Sequence, residues 1–195
     1  LLEAAHAMRA EQEALAGFYW YLPWRRLLDR LATEDPPSVG ELATAYTSLF
    51  AVGPGGRPSC PPYASCYLDP DRSAAGWIPL LLEREYCAAG VALSPSLHEP
   101  PDHLSVELEY TAVLCEREAE AWEVAPVTGL RRVLRRERRF LEQFLGSWIP
   151  VFANQLVLCD TTGVYAAAAV ACDALVRHDL DLLALLLDTL DGVHR

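Results

Sequence analysis

Four side chains able to bind a metal or move a proton crowd into the six residues from His98 to His103: His98, Glu99, Asp102 and His103. A zinc hydrolase motif would need two histidines one helical turn apart, with a glutamate beside the first. Here the histidines are five positions apart, and Pro100-Pro101 between them forbids the intervening helix. A small metal-dependent hydrolase using His98, Asp102 and His103 therefore stands only as an alternative, and no metal is expected. Ser65 beside Cys66 has no Gly-x-Ser-x-Gly elbow around it. The sixteen basic residues are all Arg, so the chain cannot contain the lysine-bearing phosphate loop of nucleotide hydrolases. No catalytic residue is assigned, and the chain is expected not to be an enzyme.

The elements that position these residues follow from the prolines. Leu97 to Pro101 must approach in extended geometry. Asp102 then stands where the N-cap of a helix from Leu104 to Leu114 belongs. One cap does not account for three polar groups, Glu99, Asp102 and His103, at one corner. Glu116 to Glu123 should prolong the helix on an exposed acidic face. Leu104, Leu108 and Cys115 on one side and Val106, Tyr110, Val113 and Leu114 on an adjoining one place this helix centrally in a bundle.

Elsewhere apolar residues recur at helical spacing. Glu3 to Leu22 reads as a first helix and Trp24 to Leu31 as its continuation past Pro23. Ser38 with Glu41 forms a capping box for a helix carrying Leu42, Tyr46, Leu49 and Phe50. Residues 53–68, rich in Gly and Pro, form one long irregular loop, and 91–101 form the second. Asp71 to Ala89 is a helix closed by Gly90. Leu130 to Leu145 is another, and Ser147 to Pro150 kinks or restarts the chain. An alanine-rich helix runs to Arg177, and Asp179 caps a last one. With no period-2 alternation, the expectation is an all-α fold: residues 1–195 as a single-domain helical bundle of about nine or ten helices with two long irregular loops.

Charge narrows the partners. A net charge of −11 repels nucleic acid and anionic membranes and favours basic peptides. No apolar run is long enough to span a bilayer. The opening Leu-Leu-Glu-Ala-Ala-His has no secretory signal pattern, so a cytoplasmic location is expected. Six dispersed cysteines read as free thiols, buried as small apolar residues. Arg131, Arg132, Arg135, Arg136, Arg138 and Arg139 line the outer face of one helix. They read as a solvated face paired with the glutamates of 116–123, or as a docking face for an acidic client surface or an anionic cofactor intermediate.

Three segments carry a family resemblance. Glu99-Pro-Pro-Asp-His103 followed by Ser-Val-Glu-Leu-Glu-Tyr110 resembles the signature of the TorD/DmsD/NarJ chaperones, which mature molybdenum-containing oxidoreductases. Tyr46-Thr-Ser-Leu-Phe50 with Pro62-Tyr63-Ala-Ser65-Cys-Tyr67 is similar to a second segment of that family, and Trp148-Ile-Pro-Val-Phe152 to a third. The resemblance, nearest the TorD/DmsD branch, implies a cytoplasmic chaperone that binds the twin-arginine leader or apo form of a molybdopterin oxidoreductase before export. A NarJ-like assembly factor for a membrane-anchored reductase is the alternative within the family. It also implies a monomer or a domain-swapped dimer, and no cofactor beyond weak guanine nucleotide binding. Peptide contacts would come from Glu99, Asp102, His103, Tyr63, Ser65, Tyr67 and Trp148. Glu99 and Asp102, with Glu107 or Glu109, would form an acidic mouth over an aromatic floor that also includes Tyr46 and Phe50.

Overall fold

The structure, a computed structural model, describes residues 16–192 apart from 34, 54, 70–75, 95 and 97. Most of the expected first helix, from Glu3, lies outside the described residues. The architecture is all-α. In order, the helices are α1 (Tyr21–Leu31), α2 (Val39–Tyr46), α3 (Ser65–Leu68), α4 (Trp77–Ala88), α5 (Leu104–Val124), α6 (Val127–Gln143), α7 (Leu145–Cys159) and α8 (Val164–Gly192). Among the described residues seven of these have eight residues or more, against the nine or ten helices expected for residues 1–195. Two expected breaks are absent. Nothing between Arg177 and Leu180 breaks a helix, so Asp179 sits inside a continuous α8 rather than capping a new one. Likewise α7 runs through Pro150.

The chain divides into two compact units, each made of two segments: residues 1–61 with 149–178, and residues 62–148 with 179–195. In the first unit the capping box forms as expected. Ser38 Oγ accepts from the Glu41 amide at 3.2 Å, and Glu41 Oε2 accepts from the Ser38 amide at 2.9 Å. The Ser38 hydroxyl, donating to Glu41 Oε2 at 2.7 Å, and then the Ser38 amide lower the pKa of the Glu41 carboxyl. After α2 the chain widens into a π-helical turn, Thr47–Ala51. Gly53 then passes so close to the Arg57 and Ser48 carbonyls that a Cβ would lie 2.6 and 2.7 Å from them, so only glycine fits. Phe50 packs against Tyr46, Phe152 and Tyr165.

In the second unit α4 ends at Gly90, whose φ of 71° stops the helix as the sequence predicts. α5 and α6 pack along their buried stripes. On α5 this stripe is Val106, Glu107, Tyr110, Leu114 and Ala121. On α6 it is Leu130, Leu134, Glu137, Phe140 and Leu141. The Tyr110 ring lies 4.7 Å from both Tyr86 and Phe140. Leu108 and Cys115 are exposed, so α5 buries one stripe and is not surrounded as expected. Among the described residues all six cysteines are free, yet only Cys60 is buried, against the expectation for the set. No helix of the described residues is long and apolar enough to cross a membrane.

Candidate functional site

The proline corner is held against the loop before α3 by backbone and side-chain hydrogen bonds and a ring contact. The Leu104 amide donates to the Pro62 carbonyl at 2.9 Å, and the Ala64 amide donates to the Asp102 carbonyl at 2.9 Å. Tyr63 and His103 form a single antiparallel bridge, their rings edge-on at 5.2 Å. Tyr86 Oη donates to the Pro101 carbonyl at 2.8 Å. All of these residues belong to the second unit.

Asp102 is not the cap of α5. His103 takes that position, its Nδ1 accepting from the Ser105 amide at 3.1 Å. The reason is the point at which helical geometry begins: His103 is still extended, with ψ at 139°, and Leu104 is the first helical residue. Asp102, one residue earlier, turns inward with no exposure, and its Oδ2 accepts from the Ser65 amide at 3.1 Å. It thus braces the start of α3 from across the corner. Accepting at Nδ1 requires a neutral His103 ring. Burial pulls the His103 pKa below the usual histidine value, opposed by the charges of Glu99 and Asp102. Glu99 Oε2 is 3.8 Å from His103 Nε2.

A second acid lies deeper. Glu107 is fully buried and accepts from Trp148 Nε1 at 3.1 Å. Burial raises its pKa well above the carboxylate range; the Trp148 bond lowers it and the Asp102 charge raises it further. Glu107 therefore cannot form part of an acidic mouth, whereas Glu109 is exposed. Ser65 and Trp148 are likewise shielded from solvent, Trp148 stacking on Tyr67 at 5.4 Å. Of the seven expected contact residues, Glu99, His103, Tyr63 and Tyr67 retain surface. Tyr46 and Phe50 lie in the first unit and the other aromatics in the second. Among the described residues the ligand atoms that converge are not those of His98, Asp102 and His103.

The arginine helix is organised more specifically than a solvated face. Arg131, Arg132, Arg135, Arg136 and Arg139 of α6, with Arg117 of α5, line a cavity of about 670 Å³. Four of the six pair with Glu85 and Asp191, and among the described residues none pairs with the glutamates of 116–123. Arg136 Nε lies 2.9 Å and Arg139 Nη2 3.5 Å from Glu85, while Arg131 Nε lies 3.1 Å and Arg135 Nη2 3.3 Å from Asp191. Arg117 donates to the Ala89 carbonyl. Four of the six guanidiniums share two carboxylates and the other two have none, leaving a local cationic surplus on an acidic chain. A smaller cleft of about 210 Å³ is lined by Val91, Leu93, Val106, Val113 and Glu109, among others.

Sequence reasoning passed over the buried acid Glu137 and placed the equally buried Glu107 at a solvent-facing mouth. The signal was present, since each falls on the apolar stripe of its helix.

Comparison with known proteins agrees with the motifs. Residues 10–154 match the model of the family described as nitrate reductase delta subunit. The chain is 33% identical over 153 residues to the chaperone protein TorD of Vibrio cholerae serotype O1, covering 78% of this chain and 66% of that protein. It is 31% identical over 150 residues to the chaperone protein TorD of Shewanella pealeana, covering 73% and 61%. To the selenate reductase assembly chaperone protein of Thauera selenatis it is 30% identical over 180 residues, covering 91% and 90%. The chain spans about two thirds or less of the length of the first TorD relatives.

Proposed function

This chain belongs to the TorD/NarJ family, whose model is described as nitrate reductase delta subunit, and from that premise we propose that it is a non-catalytic, system-specific chaperone for a molybdopterin oxidoreductase. The observation that carries the reading is the near end-to-end match to a selenate reductase assembly chaperone. In the cytoplasm it binds the client's twin-arginine leader or its apo form, before export, and keeps an apolar segment from aggregating.

The second unit suits such a peptide. Glu99 at the corner and Glu109 at the 210 Å³ cleft are exposed acids available to guanidinium groups. Val91, Leu93, Val106 and Val113 offer an apolar wall for the segment that follows the arginines. Asp102, Ser65 and Trp148 act from behind, by fixing the shape of the corner. The arginine-lined cavity takes an acidic segment of the client, since its surplus charge is of the opposite sign.

Calorimetric titration with a twin-arginine leader tests this reading, beside a Lys-Lys control. Saturable one-to-one binding that weakens with the control and with Glu99→Gln supports it. Equal binding of both peptides, or none, rejects the leader as the ligand.

A further inference from the structure

Glu137 sits among Leu130, Leu134, Phe140 and Leu141 on the buried stripe of α6, with no exposure to solvent. An acid in that position needs partners. Its Oε1 accepts from the Cys115 thiol of α5 at 3.3 Å, while its Oε2 has no hydrogen-bond partner. Asp179 reaches the same point from α8. One ligand atom each from Cys115, Glu137 and Asp179 lie within 4.8 Å of one another, and all three residues belong to the second unit. Glu118, one turn beyond Cys115, adds a further negative charge and lies within hydrogen-bond reach of Glu137 when that acid is protonated, although its Oε1 is engaged by Trp122 Nε1 at 2.9 Å.

We propose that Cys115, Glu137 and Asp179 bind one divalent transition metal of the zinc class, with water completing its coordination. Zinc binds thiolate at about 2.3 Å and carboxylate at about 2.0 Å, which sets neighbouring ligand atoms about 3.5 Å apart in a tetrahedral shell. The Cys115–Glu137 pair already has that spacing, and the 4.8 Å limit leaves about an ångström for side-chain rotation to close. A thiolate in the donor set selects against magnesium and calcium, which take oxygen ligands. Cys115 is exposed, so an ion has a route in.

The cluster's electrostatics agree. Burial, then the Asp179 and Glu118 charges, push the Glu137 pKa up to about 8, against the bond from Cys115. Burial and Glu118 push Asp179 to about 6. A bound metal needs the thiolate and carboxylate forms, so its binding displaces the Cys115 thiol proton, and any proton on the Glu137 carboxyl, to solvent. Three helices, α5, α6 and α8, each give one ligand, so the ion ties them together.

The experiment is titration of the full chain with Co²⁺ under reducing conditions, followed by displacement with Zn²⁺. Expected are one equivalent bound, a thiolate-to-cobalt charge-transfer band that Zn²⁺ abolishes, and a Zn²⁺-dependent rise in Tm. Cys115→Ser should remove the band, and Asp179→Asn should weaken binding at least about tenfold. The helical circular dichroism of each variant reports whether it has folded; should Cys115→Ser not fold, Asp179→Asn alone carries the comparison. No binding, a band that survives Cys115→Ser, or unchanged affinity in Asp179→Asn overturns the proposal. None of these outcomes depends on the leader peptide, so failure here and failure of the chaperone reading are distinguishable.

Discussion

Two regions of the second unit are rich in charged and polar residues, and they use them in opposite ways. At the proline corner Asp102 faces inward onto the Ser65 amide, and Glu107 beyond it is enclosed against Trp148. Along α6 the guanidiniums stay at the surface and converge on a cavity, outnumbering their carboxylate partners. A motif dense in polar residues therefore need not be a contact surface. In the corner the side chains shape the fold, and along α6 they leave charge available to a partner.

Substitutions can break that contrast, and the largest effect is expected at Trp148. It is fully buried, stacked on Tyr67 and bonded to Glu107. Trp148→Ala should cost about 3–5 kcal/mol in chemical denaturation. A loss below 1 kcal/mol, with weakened peptide binding, would make Trp148 a contact residue after all. Next comes Asp102→Ala. It leaves the Ser65 amide without its acceptor and should cost about 1–3 kcal/mol in stability, with peptide affinity per folded molecule little changed. The reverse outcome would move Asp102 from the frame to the binding surface.

A smaller effect follows from the His103 cap, which requires a neutral ring. The folded-state pKa lies below the ordinary histidine value. Its contribution is therefore complete above about pH 6.5, the unfolded value, and is lost as pH falls through the folded pKa. At most about 1 kcal/mol is involved, the usual worth of a cap. Stability curves should lose that slope in His103→Asn, which keeps a capping acceptor without titrating. The smallest stability change belongs to the arginine face. Arg132 is exposed and has no hydrogen bond or ion pair with the described residues. Arg132→Gln should leave stability within about 0.5 kcal/mol. Binding to an acidic client segment should weaken and show less salt dependence, measurable by titration at two ionic strengths.

Much of this was legible before any coordinates. Helical periodicity gave the all-α class, Ser38 with Glu41 gave a capping box, and Gly90 gave a helix end, because each depends on neighbours within a turn of chain. The family was legible too, since three short motifs in a fixed order carry it. The site was legible only as a neighbourhood. Corner residues 99–103 do meet Tyr63, but which of them faces solvent could not be read from spacing, and Tyr46 and Phe50 fall in the other unit.

The sequence by itself determined the all-helical class, the cationic face and the family. Only the tertiary structure decided where each acid goes. His103 takes the cap expected of Asp102 because the cap is fixed by the residue at which helical dihedrals start, and the loop from Pro62 to Ser65 captures the earlier residue as a buried brace. Glu107 and Glu137 are buried because helix packing chooses one stripe out of several that the periodicity allows. Cys115, Glu137 and Asp179 come from three helices as much as 64 residues apart, so the convergence of their ligand atoms arises from packing and from no local pattern in the chain.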